Sequence, residues 1–140
     1  MKSFNSLIKL HKHKVEERQK ALSELLAIRQ DLEARSEALT ARLAAEQANA
    51  HTAQPHAAAD LAAFSTGARR QQDTIAASVA NIDEEMTVAH SALRAAFQEL
   101  KKYELLEASR AAQERRNAAR RESADLDEIA GVRAAERKAG

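Results

Sequence analysis

Along this 140-residue chain the larger apolar residues recur at alternating spacings of four and three. The cleanest run is Ile75, Val79, Ile82, Met86, Ala89, Leu93, Ala96, Leu100 and Tyr103, which never slips. A repeat of 3.5 keeps one stripe of a helix facing a partner helix, so this run predicts the seam of a left-handed coiled coil. An earlier segment carries the same repeat less strictly. Ile8, Val15, Leu22 and Leu43 share one heptad position, and His11, Leu25, Leu32 and Leu39 share the other. Arg18, Arg29 and Ser36 interrupt it, and polar groups at such positions weaken packing while helping to specify register.

Helix breakers divide the two arms. Neither residues 3–50 nor residues 68–130 contain Gly or Pro. Between them, Pro55 follows the polar run His51-Thr52-Ala53-Gln54 and is the best stop, because Pro lacks an amide donor and disfavours helix in the residue before it. Ser65-Thr66-Gly67 is a weaker break, and the short piece 57–64 between the two reads equally as a helical turn or a loop. The pattern predicts one all-α domain over 1–140: helix 1 over about 3–50, a turn region over about 51–67 and helix 2 over about 68–138. A turn near Pro55 and His56 sets Ile8 near Tyr103, Val15 near Ala96, Leu22 and Leu25 near Ala89 and Met86, and Leu32 opposite Val79. Pairing then runs out near Phe4 and Glu107. The apolar seam of the second arm stops there too, giving way to Glu107, Arg110, Glu114 and Arg121. That coincidence favours a long antiparallel two-helix coiled-coil hairpin within one chain, a monomer on its own. Its C-terminal helix projects beyond the pairing.

Composition supports this reading. The chain is 44% hydrophobic, but 33 of its residues are Ala, so few large side chains remain for a globular core. Charged residues reach 31% yet nearly cancel to +1, unlike the high net charge of disordered chains. The charges are segregated. Residues 1–20 hold six basic and two acidic side chains, residues 21–100 six and eleven, and residues 101–140 ten and eight. A polarised distribution of this kind steers partners to one end. The densest basic stretch is Arg110, Arg115, Arg116, Arg120 and Arg121, followed by Leu126 and Ile129 as an apolar pair at i,i+3 on a helix with no mate in the chain. That combination suits docking into an acidic channel or groove of another protein.

The search for chemistry comes back empty. With no Cys there are no disulfides or thiolate metal sites. His11 and His13 point about 200° apart on a helix and do not chelate together. The three Gly (Gly67, Gly131 and Gly140) build no phosphate loop. We expect no catalytic residues, cofactor, metal or small-molecule ligand. Nucleic acid is not an expected partner either: the basic stretch is interleaved with acids, and Phe4, Phe64, Phe97 and Tyr103 are the only aromatic side chains available for stacking bases. The polar amino terminus lacks the apolar stretch of a signal peptide, and no run approaches a spanning segment, so a soluble cytoplasmic protein is expected. From the residues alone, a stalk, a holdase-type helical chaperone and a generic structural coiled-coil scaffold all remain open.

Both ends of the chain resemble the flagellar export protein FliJ family. The opening Phe4-Asn5-Ser6-Leu7-Ile8-Lys9-Leu10-His11-Lys12-His13-Lys14-Val15-Glu16-Glu17-Arg18-Gln19 is similar to that family's start. Phe97-Gln98-Glu99-Leu100-Lys101-Lys102-Tyr103-Glu104 and residues 120–130 are similar to its carboxyl-terminal region. Length and two-helix layout match throughout, whereas residues 41–80 resemble the family only in being helical and Ala-rich. The resemblance implies a non-catalytic central stalk of the type III export ATPase, peripheral at the inner-membrane flagellar basal body. One end inserts in the hexameric ATPase and stimulates it, and the stalk also touches the export gate protein FlhA and export chaperones. By position, Lys9, Lys12, Lys14, Arg120, Arg121 and residues 125–129 occupy the matching stretches. With Arg110, Arg115 and Arg116, and with Leu126 and Ile129, they form the end expected to enter the ATPase ring.

Overall fold

A computed structural model describes residues 3–50 and 56–139. They form two helices, α1 (Asn5–Ala50, 46 residues) and α2 (Ala57–Ala139, 83 residues), with no strand among the described residues. The architecture is an all-α hairpin of two long helices packed against each other. It divides into two units: one holds Val15–Ala96, the other Met1–Lys14 with Phe97–Gly140.

In the unit Val15–Ala96 a ladder of half-buried side chains runs along both helices: Leu22, Leu25, Leu32, Leu39 and Leu43 on α1, and Ile75, Val79, Ile82, Met86, Ala89 and Leu93 on α2. Among the described residues of this unit, only Val15 and Ala68 are buried outright. Two helices form a single layer, so each seam residue keeps one side open to water. Polar bonds across the seam fix its antiparallel register. Gln72 Nε2 donates to Thr40 Oγ1 at 3.0 Å, and Arg29 Nε donates to Asp83 Oδ1 at 2.7 Å while another nitrogen of Arg29 pairs with Glu33. Both neighbouring carboxylates, Asp83 first, raise the affinity of Arg29 for its proton.

The beginning of α2 departs from the expected turn. The helix opens at Ala57, about eleven residues before position 68, and runs straight through Ser65-Thr66-Gly67. A lone helical Gly costs only about 1 kcal/mol, which local contacts readily offset. Here Thr66 Oγ1 donates to the Ala62 carbonyl at 3.0 Å, and the Arg42 guanidinium lies 5.0 Å from the centre of the Phe64 ring. Ala68 then sits 3% exposed, a small residue filling the seam just past the Gly. Gly67 has no positive φ, so it serves as an ordinary helical residue. The stop expected at Pro55, with His51-Thr52-Ala53-Gln54, lies outside the described residues. The helix start is supported by Asp60, whose amide donates to the His56 carbonyl and whose carboxylate complements the positive end of the helix dipole.

In the other unit the pairing ends at Phe4 and Glu107. His11 and Leu100 are buried, and Ile8 and Tyr103 half-buried. The ring resting on Tyr103 is that of His11, stacked at 4.7 Å between centroids and 19° between planes. Phe4 approaches the same Tyr103 ring at 6.2 Å. Beyond Ala112 every residue to Ala139 is exposed, yet the helix continues unbroken. Ala, Arg and Glu, strong helix formers, dominate this stretch.

Candidate partner-docking surface

The surface begins where the apolar seam runs out. After Tyr103 the next heptad positions are Glu107 and Arg110, and the structure turns them into a clasp. The Phe4 amide donates to Glu107 Oε2 at 2.9 Å. Phe4 stands at the entry to α1, where amides lack an intrahelical acceptor, so a carboxylate from the other helix satisfies one of them. Ser3 Oγ accepts the neighbouring Asn5 amide at 3.1 Å. Arg110 grips the same carboxylate in a two-pronged contact, Nε to Oε2 at 3.0 Å and Nη2 to Oε1 at 2.6 Å. It reaches Glu114 with its remaining nitrogen at 2.9 Å.

The same contacts govern the ionisation of this group. The Glu107 carboxyl is pushed from its ordinary 4.5 down to about 2, first by the Arg110 hydrogen bonds and then by the Phe4 amide, against partial desolvation. Arg110 is shifted upward by Glu107 and then Glu114. Its side chain is only 13% exposed. Arg110 is thus held in ion pairs within the chain, whereas the other arginines of the stretch carry none among the described residues.

Those others point to solvent. Arg115, Arg120 and Arg121 are exposed and carry no ion pair among the described residues. Arg116 is also exposed and donates to Gln113 Oε1 at 2.6 Å, part of a short surface chain that continues from Gln113 to Asn117. On α1, Lys9, Lys12 and Lys14 are exposed. Leu126 and Ile129 are 63% and 50% exposed, and Val132, which the heptad reading passed over, joins them at 53%. Spacing alone points to Val132, three residues beyond Ile129. Phe4 and Leu106 were passed over as well. With Ser109, Arg110, Arg120 and Arg121 they line an open groove of about 920 Å³ beside the clasp. No spacing rule finds it, because Phe4 reaches it only through the fold.

Among the described residues no three His, Cys, Asp or Glu side chains gather to hold a metal ion, and no helix is long and apolar enough to cross a membrane. What the surface offers is an unpaired helix with free guanidinium groups, an apolar stripe and a groove at its root.

A protein-family model described as "Flagellar FliJ protein" matches residues 1–139. Curated proteins named "Flagellar FliJ protein" from two strains of Caulobacter vibrioides are each 34% identical to the chain over 132 residues, covering 93% of this chain and 93% of the relative. No solved structure matches it.

Proposed function

The chain belongs to the flagellar FliJ protein family, and from that premise we propose that it is a non-catalytic coiled-coil stalk of the flagellar protein export apparatus. Its basic terminal end inserts in the hexameric export ATPase and stimulates it, while the rest of the stalk links that ATPase to the export gate protein FlhA and to export chaperones. It works at the cytoplasmic face of the basal body.

The observation that carries this reading is the exposed helix over residues 113–139, on which Arg115, Arg120 and Arg121 carry no ion pair among the described residues. A helix about 11 Å wide is a slender probe for the pore of a ring. Free guanidinium groups favour carboxylates on the pore wall, both by steering the encounter and by two-pronged hydrogen bonding. Stimulation has one physical requirement. The stalk must bind one nucleotide state of the ring better than another, because equal affinity for all states shifts nothing. An asymmetric helix inside a symmetric ring meets it, since it touches different subunits differently.

Reversing Arg115, Arg116, Arg120 and Arg121 to Glu in the full chain abolishes stimulation of the purified ATPase. Unchanged stimulation by that variant refutes insertion through the arginine face.

A further inference from the structure

Arg110 is the least available arginine of the basic stretch, being held by Glu107 and Glu114. That sacrifice needs a reason, and the clasp supplies one. By pinning the Phe4 amide at the entry to α1, Glu107 places the Phe4 side chain beside Leu106 of α2. Leu106 is 41% exposed and lines the groove together with Phe4. These two are the apolar part of its lining; Gln113, Asn117 and Glu114, the last paired with Arg110, line it further along α2, as do Arg120 and Arg121. With Arg110 neutralised by two carboxylates, these two guanidinium groups set the sign of the site.

We propose that the groove lined by Phe4, Leu106, Arg120 and Arg121 seats an acidic helical segment of the docking partner, which lays one aliphatic or aromatic side chain on Phe4 and Leu106 and two carboxylates on the arginines. Charge complementarity identifies the occupant: a basic or neutral segment leaves both guanidinium groups unmatched, and an acidic one satisfies them with charge-assisted hydrogen bonds. The Phe4 ring is the anchor. Apolar anchors at the centre of a small interface carry most of its affinity, with charged rims tuning rate and partner choice. The proposal rests on the reading that the basic terminal end docks to the ATPase, and it adds where on that end the anchor lies.

The test uses the full chain and the immobilised cognate export ATPase as probe, with dissociation constants from biolayer interferometry and helix content from circular dichroism. Phe4→Ala and Leu106→Ala each weaken binding about tenfold, the scale of an interface anchor. Phe4→Leu retains most of the affinity. The double variant R120E/R121E weakens binding further and removes most of its salt dependence. If the arginine reversal weakens binding while Phe4→Ala and Leu106→Ala bind like the parent, the groove is overturned and docking by the arginines stands. If none of the variants weakens binding, both readings fall. Should Phe4→Ala lose helix content, the exposed Leu106 position decides alone, because shortening an exposed side chain leaves the fold intact.

Discussion

At the scale of single residues the most informative group is Glu107, which answers two demands at once. It accepts the Phe4 amide and holds the Arg110 guanidinium, and both favour its ionised form. A carboxyl whose proton affinity is lowered by folding adds stability that is fully present above its unfolded value. That stability disappears as acid protonates the folded form. For Glu107 the loss therefore falls between pH 4.5 and about 2. The comparison must be with a variant, so that the acid response of the rest of the chain cancels. Glu107→Gln lowers the melting temperature at neutral pH, and the gap between the two proteins closes as the pH approaches 2. Thermal melts followed by circular dichroism from pH 7 to pH 2 measure it, and a gap independent of pH contradicts the clasp. Nothing in the local sequence announces this role. The acceptor and its donor lie 103 residues apart, and Glu107 looks like an ordinary charged position where a seam has ended.

At the scale of elements, heptad spacing made α2 legible from Ile75 to Tyr103, because a strict repeat has only one helical explanation. The start of α2 was hidden for the opposite reason. Ser65-Thr66-Gly67 has the composition of a break, and what keeps it helical is the Thr66 hydroxyl on Ala62 and the Arg42–Phe64 contact with the facing helix. Ala68, the most buried of the described residues, was equally invisible, since Ala marks a close approach of two backbones only once the partner helix is known. The two helical glycines follow from this reading. A Cβ built at Gly67 or at Gly131 meets nothing within 4 Å, and neither residue has a positive φ. Gly67→Ala and Gly131→Ala each stabilise their helix by about 0.5–1 kcal/mol. For Gly67 the gain appears as a higher melting temperature; for Gly131, in an unpaired helix, as added ellipticity at 222 nm. The Arg29 position makes a sharper case. It stands where the repeat calls for an aliphatic side chain, and its pairs with Asp83 and Glu33 are partly exposed. Arg29→Leu raises the melting temperature, because partly exposed ion pairs contribute little. The same change makes the seam uniformly apolar there and permits alternative pairings between chains, seen as dimer in sedimentation velocity.

At the scale of the whole molecule, near-neutrality conceals a strong segregation. The chain sums to +1, yet residues 1–20 carry six basic and two acidic side chains while residues 21–100 carry six and eleven. The proposed stimulation of the ATPase must therefore depend on salt far more than the net charge suggests. Exposed charges are screened over about 8 Å at physiological ionic strength and over about 3 Å at 1 M. The seam, held by apolar burial, is largely indifferent to the same salt. Raising the salt from 0.05 to about 0.5 M consequently separates two properties of one molecule: the affinity for the ATPase falls by at least an order of magnitude while the melting temperature barely moves. Spin labels at Gln19 and His90, which flank one groove of the Val15–Ala96 unit, supply the internal control. Adjacent helices lie about 8–10 Å apart, so the labels couple strongly in a single chain. Dilution with unlabelled protein leaves that coupling unchanged at either salt. Coupling that falls on dilution places the pairing between chains, and then the salt dependence reports assembly of the stalk in place of its docking.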